Sequence, residues 1–174
     1  GIYRQGGLSD VDRAALADMT AAIVHRGPDE ETFFYGNNVG FGCRRLSIID
    51  VADGHQPMLS NDGNIVSVAN AEIYNHDELR KDLSARGGCF KTRCDVEVIP
   101  HLYHSEGKDF VGRLNGQFAF AVHDKASGEL LLGRDQTGIA PLFWTRVDGG
   151  FLFASEIKSI LCHPQAPRGL DLAG

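Results

Sequence analysis

The chain has 174 residues, 43% of them hydrophobic and 23% charged, with a formal net charge of −6. That length and apolar content suit one domain with its own core. The acidic balance, without a run of Lys or Arg, argues against a nucleic-acid surface, and no apolar run approaches the ~20 residues needed to span a bilayer. Gly1-Ile2-Tyr3-Arg4-Gln5-Gly6-Gly7 lacks the long apolar segment of a secretory leader, so a cytoplasmic protein is expected. Cys43, Cys89, Cys94 and Cys162 form no C-x-x-C pair and read as reduced thiols rather than metal ligands.

In chain order, the first helix is expected over Val11 to Val24. Ser9 or Asp10 would cap it, with Ala15, Met19, Ala22 and Ile23 on one face. A second helix should start after Asn75. Asn75 and Glu78 have capping-box spacing, Leu79 and Leu83 form the buried stripe, and Gly87 stops it. A third is expected from near Asp95 to Glu106, and a short fourth ends at Leu114. Strands are read at Ile65 to Asn70, Gln117 to His123, Glu129 to Arg134, Leu142 to Val147 and Gly150 to Ala154. Lys125-Ala126-Ser127-Gly128 and Val147-Asp148-Gly149-Gly150 read as hairpin loops. Short loops between neighbouring strands imply antiparallel pairing, hence an α+β domain. The Pro/Gly-rich stretch from Pro164 to Gly169 reads as the start of a linker, dividing a domain at 1–163 from a tail at 164–174.

Several short motifs occur in order. They are His25-Arg26-Gly27-Pro28-Asp29, Arg45-Leu46-Ser47-Ile48-Ile49-Asp50, Gln56-Pro57, Asn70-Ala71-Glu72-Ile73-Tyr74-Asn75 and Asp95-Val96-Glu97. After these come Leu114-Asn115-Gly116-Gln117-Phe118-Ala119-Phe120, Gly133-Arg134-Asp135 with Gly138 and Pro141-Leu142, and Ala154-Ser155-Glu156 with Lys158. Each is weak alone. In this order and spacing they resemble the class II glutamine amidotransferase (glutaminase) domain of glutamine-hydrolysing asparagine synthetases across nearly the whole chain.

The resemblance implies an N-terminal-nucleophile hydrolase fold, an αββα sandwich of two antiparallel sheets flanked by helices. It implies hydrolysis of L-glutamine to glutamate and ammonia by an N-terminal cysteine whose own α-amino group is the base. An α-amine titrating near ~8 can take a thiol proton near neutral pH. The resemblance assigns Arg45 to the substrate carboxylate, where a two-pronged hydrogen bond suits a guanidinium. Leu46, Ser47, Ile48 and Ile49 would line the substrate with backbone groups, and Glu72 and Asp95 would accept from the α-ammonium. The side chain of Asn70 and the backbone N–H of Ala71 would form the oxyanion hole. Without the resemblance, Arg45 reads as an ion-pair residue, Glu72 and Asp95 as structural acids, and Asn70 as a turn former. His25 to Asp29 reads as loop architecture, Arg134 and Asp135 as a structural pair, and Phe118 with Phe120 as core.

The resemblance further implies a downstream ATP-dependent synthetase domain as partner, amide transfer to aspartate, no cofactor in this domain (ATP and Mg²⁺ belonging to the synthetase domain), and suggests a homodimer. The sequence departs from the family in four places. The family begins Cys-Gly-Ile and this sequence begins Gly1-Ile2, so glutaminase activity needs a cysteine ahead of Gly1. Ala71 stands where the family has Gly, and a Cβ there is costly if φ is positive. Cys94 stands where Ser or Thr is usual and should cap poorly; it has no neighbouring base to serve as a substitute nucleophile. Pro100 falls in the third helix and predicts a kink or a delayed start. The alternatives to a glutaminase are an inactive scaffold of the β-lactam synthetase or lasso-peptide cyclase type, or an amidotransferase for another acceptor such as a sugar phosphate.

Overall fold

The structure, a computed structural model, describes residues 1–46 and 54–169. In chain order the elements are β1 (Ile2–Arg4), α1 (Asp10–Ala21), β2 (Glu30–Tyr35), β3 (Val39–Arg45), β4 (Met58–Leu59), β5 (Ile65–Ile73), α2 (His76–Ala85), α3 (Val98–Glu106), β6 (Gly116–Asp124), β7 (Leu130–Arg134), β8 (Phe143–Val147), β9 (Gly150–Ala154) and α4 (Ile157–Ile160). Short 3-10 turns lie at Val24–Arg26, Asp95–Glu97 and Gly107–Arg113. The chain divides into two compact units, one of Gly1–Arg44 with Leu142–Gly174 and one of Arg45–Pro141.

The first unit holds a five-stranded sheet in the order β2-β3-β1-β9-β8. The pairings β1–β3, β1–β9 and β8–β9 are antiparallel, and Asp148-Gly149 makes the tight turn of the β8–β9 hairpin, with Gly149 at φ +67°. Ile2, Leu16, Met19, Leu152, Ala154 and Ile160 form its apolar core. Ser9 caps α1 through a capping box with Asp12, so the helix starts at Asp10. It ends at Ala21, three residues earlier than expected, and Leu16 and Thr20 rather than Ala22 and Ile23 join Ala15 and Met19 on the buried face. A Cβ at Gly42 would lie 1.9 Å from Thr20 Oγ1, so the glycine permits the close approach of α1 to β3.

A buried polar network closes this unit. Arg4 Nε and Nη2 donate to Asp12 Oδ1 at 2.9 and 2.7 Å, and Nη2 also donates to Gln165 Oε1 at 2.7 Å. His163 Nδ1 accepts from the Gln165 N–H at 3.1 Å, so its other nitrogen carries the proton and donates to Asp12 Oδ1 at 3.0 Å. Burial opposes ionisation of Asp12, but hydrogen bonds from Arg4 and Ser9 outweigh it and hold the carboxyl well below the usual range. Gln165 and the buried Ala166, both within the stretch read as linker, are part of this packing.

The second unit holds an antiparallel sheet in the order β4-β5-β6-β7. Its core takes Leu79 and Leu83 from α2, Val98, Ile99 and Leu102 from α3, and Ile73, Phe118, Phe120 and Val122 from the sheet. α2 begins and ends where expected, but Asn75 does not cap it. Its side chain accepts the Asn115 N–H at 3.0 Å and donates to the Arg113 carbonyl at 2.9 Å instead, tying the end of β5 to the start of β6. At the other end Gly87, at φ +93°, turns the chain so that the Gly88 N–H reaches the Leu83 carbonyl at 2.9 Å. The third helix starts late: a 3-10 turn occupies Asp95–Glu97 and α3 begins at Val98. Pro100 is then the third helical residue, where its missing N–H falls among the donors a helix leaves unpaired anyway.

Candidate active site

Asn70, Ala71 and Glu72 lie on β5, and Asp95 holds its edge through Ile73. Ala71 lies opposite Phe118 on β6. The Phe118 N–H donates to Asp135 Oδ2 at 3.2 Å and its carbonyl accepts the Asp135 N–H at 2.8 Å, so both its backbone groups point away from β5. In an antiparallel pair, opposite residues either exchange both hydrogen bonds or neither. Ala71 therefore directs its N–H and C=O away from β6, toward the side of β4. The pairing of β4 covers Val66 and Ser67, and among the described residues no strand pairs with that edge of β5 beyond them.

The residues two places to either side confirm that orientation. The Ala69 N–H donates to Gln56 Oε1 at 2.6 Å and its carbonyl accepts Gln56 Nε2 at 2.8 Å. The Ile73 N–H donates to Asp95 Oδ2 at 2.7 Å. Between these two clamps, no hydrogen bond among the described residues uses the Ala71 N–H. A polar N–H left so at a strand edge is a donor available to an incoming oxygen.

Alternation along the strand separates two faces. The side chains of Ala69, Ala71 and Ile73 meet the apolar core of this unit, and those of Asn70 and Glu72 lie exposed on the other face. The Ala71 methyl thus packs on the side away from Asn70 and Glu72, within an extended strand. This position takes a Cβ without left-handed backbone. Gln117 pairs with Glu72 across β6 and donates to the Tyr74 hydroxyl at 2.6 Å.

Asp95 is buried, and its second oxygen faces the Cys94 thiol at 3.7 Å. Burial pushes that thiol up to about 11, against lowering influences from the Val96 backbone N–H and, more weakly, the Arg45 charge. A thiol so protonated at neutral pH is not a nucleophile. Cys94 makes no side-chain cap, as its chemistry predicts. Glu97, a buried carboxylate, ties down the preceding loop: it accepts the N–H groups of Lys91 and Thr92 at 2.7 and 3.0 Å, the Thr92 hydroxyl at 2.7 Å and Arg80 Nη2 at 3.2 Å. Arg45 is half-buried at the end of β3 and Leu46 follows it, exposed; Ser47, Ile48 and Ile49 lie outside the described residues.

In the other unit, Gly1 extends the β1–β9 ladder by one residue. Its nitrogen donates to the Phe153 carbonyl at 2.6 Å and its carbonyl accepts the Phe153 N–H at 2.9 Å. A Cβ at Gly1 would lie 2.1 Å from the Phe153 ring, so a larger residue there requires that ring to move. Arg134 and Asp135 do not pair with each other. Arg134 donates to the carbonyls of Gly138 and Ala140, and Asp135 accepts from Thr137, Ile139 and Ala140, so both brace one turn. His25 lies 2.7 Å from Glu156 in an exposed cluster with Arg26 and Lys158. Gln56 is the residue to which sequence reasoning gave no role; the Gln56-Pro57 dipeptide was its only signal.

Comparison with known proteins bears on what this edge serves. The glutamine amidotransferase domain family matches residues 1–174. Asparagine synthetase [glutamine-hydrolyzing] 2 of Bacillus subtilis (strain 168) is 47% identical over 153 residues, covering 88% of this chain and 20% of that protein. The probable asparagine synthetase [glutamine-hydrolyzing] of Dictyostelium discoideum is 40% identical over 151 residues, covering 85% of this chain and 27% of that protein. The chain thus spans less than a third of the length of the curated relatives it matches. Among solved structures, glutamine phosphoribosylpyrophosphate amidotransferase from B. subtilis superposes with a TM-score of 0.61 at 22% identity, covering 76% of this chain and 30% of that one. The allosteric regulatory enzyme of purine biosynthesis gives a TM-score of 0.63 at 23% identity with the same coverages. These likenesses show the fold: α+β, with two antiparallel sheets and flanking helices. Matched over its whole length, the chain belongs to the family of class II glutamine amidotransferase domains.

Proposed function

We propose that this domain hydrolyses L-glutamine to glutamate and ammonia, and that the ammonia serves amide transfer to aspartate in a downstream ATP-dependent synthetase domain. The observation that carries the reading is the Ala71 N–H, left as a donor on the edge of β5 between the Gln56 and Asp95 clamps. Asn70 precedes it with an exposed side chain and Glu72 follows it on the same face. The asparagine synthetase relatives support aspartate as the acceptor.

The nucleophile in this reading is a cysteine joined to Gly1. Its thiol attacks the amide carbon of glutamine while its α-amine takes the thiol proton. The carbonyl oxygen gains negative charge and is held by the Ala71 N–H and the Asn70 side chain. One such donor contributes about 3–4 kcal/mol to barrier lowering in well-studied hydrolases. The C–N bond then breaks, the α-amine passes its proton to the leaving ammonia, and a thioester remains. Water hydrolyses the thioester, releasing glutamate and restoring the thiol. Arg45 holds the substrate carboxylate, with the segment Leu46 to Ile49 beside it, and Glu72 and Asp95 hold the ammonium. No step calls on a metal or cofactor in this domain.

The test is the intact mass of the full-length native protein, with glutamate release assayed on the same sample. An N-terminal cysteine ahead of Gly1, together with release that a thiol reagent abolishes, supports the reading. A terminus without cysteine and no release overturns it and leaves a glutamine-binding or scaffold domain.

A further inference from the structure

Gln56 completes the edge of β5 with its side chain instead of its backbone. Met58 pairs with Ser67 and Leu59 with Val66, so carrying the same register back two residues sets Gln56 opposite Ala69. Its amide then accepts the Ala69 N–H at 2.6 Å and donates to the Ala69 carbonyl at 2.8 Å. Among the described residues pairing by β4 ends at Met58, and the edge is satisfied once more, by the Gln56 side chain, before Ala71. A strand continuing in register would engage the Ala71 N–H; an unclamped edge would let that peptide tilt.

The geometry points to Gln56 as a positioning residue for the oxyanion donor. Acting through Ala69, it fixes the strand on one side of Ala71 while Asp95, through Ile73, fixes it on the other. The inference rests on the reading of Ala71 as that donor. An interaction formed only as charge develops on the oxygen acts on kcat rather than KM.

The experiment uses the full-length protein and compares Gln56→Met, which keeps the volume and removes both hydrogen bonds, with Gln56→Glu, which can accept from Ala69 but not donate. For Gln56→Met the expected result is a kcat lower by about tenfold or more with KM for glutamine within about twofold, and a smaller loss for Gln56→Glu. The aldehyde analogue of glutamine, whose adduct with a thiol carries an oxygen in the oxyanion position, should weaken in parallel with kcat, while L-glutamate binding holds. An unchanged kcat, or a loss expressed in KM and glutamate affinity alone, overturns the inference. Should Gln56→Met fail to fold, Gln56→Glu decides on the same criteria. A parent protein that releases no glutamate overturns the glutaminase reading itself, and this inference with it; failure confined to the Gln56 variants overturns the inference alone.

Discussion

The carboxylate of Asp95 accepts the N–H of Ile73 at 2.7 Å, so one oxygen of the residue assigned to the substrate's ammonium is already committed to the edge of β5. In the proposed site one side chain would serve both substrate recognition and strand geometry, and two substitutions separate the roles. Asp95→Asn keeps an oxygen for the Ile73 N–H and removes the charge. It should raise KM for glutamine about tenfold with little change in stability, the charge on a hydrogen-bonded pair accounting for the factor. Asp95→Ala leaves a buried N–H unpaired and should in addition cost about 1–3 kcal/mol in urea unfolding. Equal loss of stability in both variants would refute the shared role.

Arg45 is half-buried at the end of β3, and its charge acts on the Cys94 thiol, the neighbour of Asp95 in the chain. A guanidinium offers a planar fork to a carboxylate, which an ammonium cannot reproduce. Arg45→Lys should therefore raise KM about 10–100-fold while leaving kcat within about threefold. Steady-state glutaminase assays on the full-length protein give both numbers, and an unchanged KM would remove Arg45 from the substrate site.

How much of this was legible beforehand depends on where each constraint originates. β6 and the β8–β9 hairpin were readable because local alternation and turn chemistry agree with the final pairing. The expected β5 stopped at Asn70 because Ala71 and Glu72 carry no strand signal of their own; pairing with Gln117 and Phe118 extends it to Ile73. β1 and β4 are too short for periodicity, and β3 contains Gly40 and Gly42, which α1 packs against but which read as breakers. Asn75 has the spacing of a cap but is taken by Arg113 and Asn115, far along the chain. The motif marked Ala71, yet the availability of its N–H follows from the register with Phe118 and the grip of Asp135, which no local pattern encodes.

Cys94 and Cys89 should differ sharply toward alkylation. Cys94 is 7% exposed and burial pushes its thiol up to about 11, whereas Cys89 is exposed. At pH 7.5 iodoacetamide should label Cys89 readily and Cys94 only after unfolding, since the thiolate is the reacting form. Cys94→Ser should retain glutaminase activity, and peptide mapping of a time course checks the order. Prompt labelling of Cys94 in the native state would contradict the buried site.

Stability should fall in two stages on acidification. His101 is 6% exposed, its ring packs at a tilt of 49° against Phe90 with centroids 4.7 Å apart, and its Nε2 finds no hydrogen-bond partner among the described residues. Its neighbours include Glu97 at 4.0 Å, Arg80, Lys91 and His104. Burial lowers its pKa against the opposing pull of Glu97, and burial likewise lowers that of His123. In each case the unfolded chain binds the proton more tightly. Their contribution is therefore complete above the unfolded value of about 6.5 and is lost as pH falls below it toward the lowered folded value. The carboxylates of Asp12 and Glu97 also have lowered values, where hydrogen bonds outweigh burial. Their stabilisation is present above the unfolded values of about 4 and is lost only as pH falls below these through the folded ones. Urea midpoints measured from pH 7.5 to 3 should decline gently as pH falls below about 6.5, and steeply below about pH 4. His101→Phe keeps an aromatic ring against Phe90 and removes the titrating group, so it should flatten the first stage and leave the second. A first stage unchanged in that variant would assign the loss to other groups.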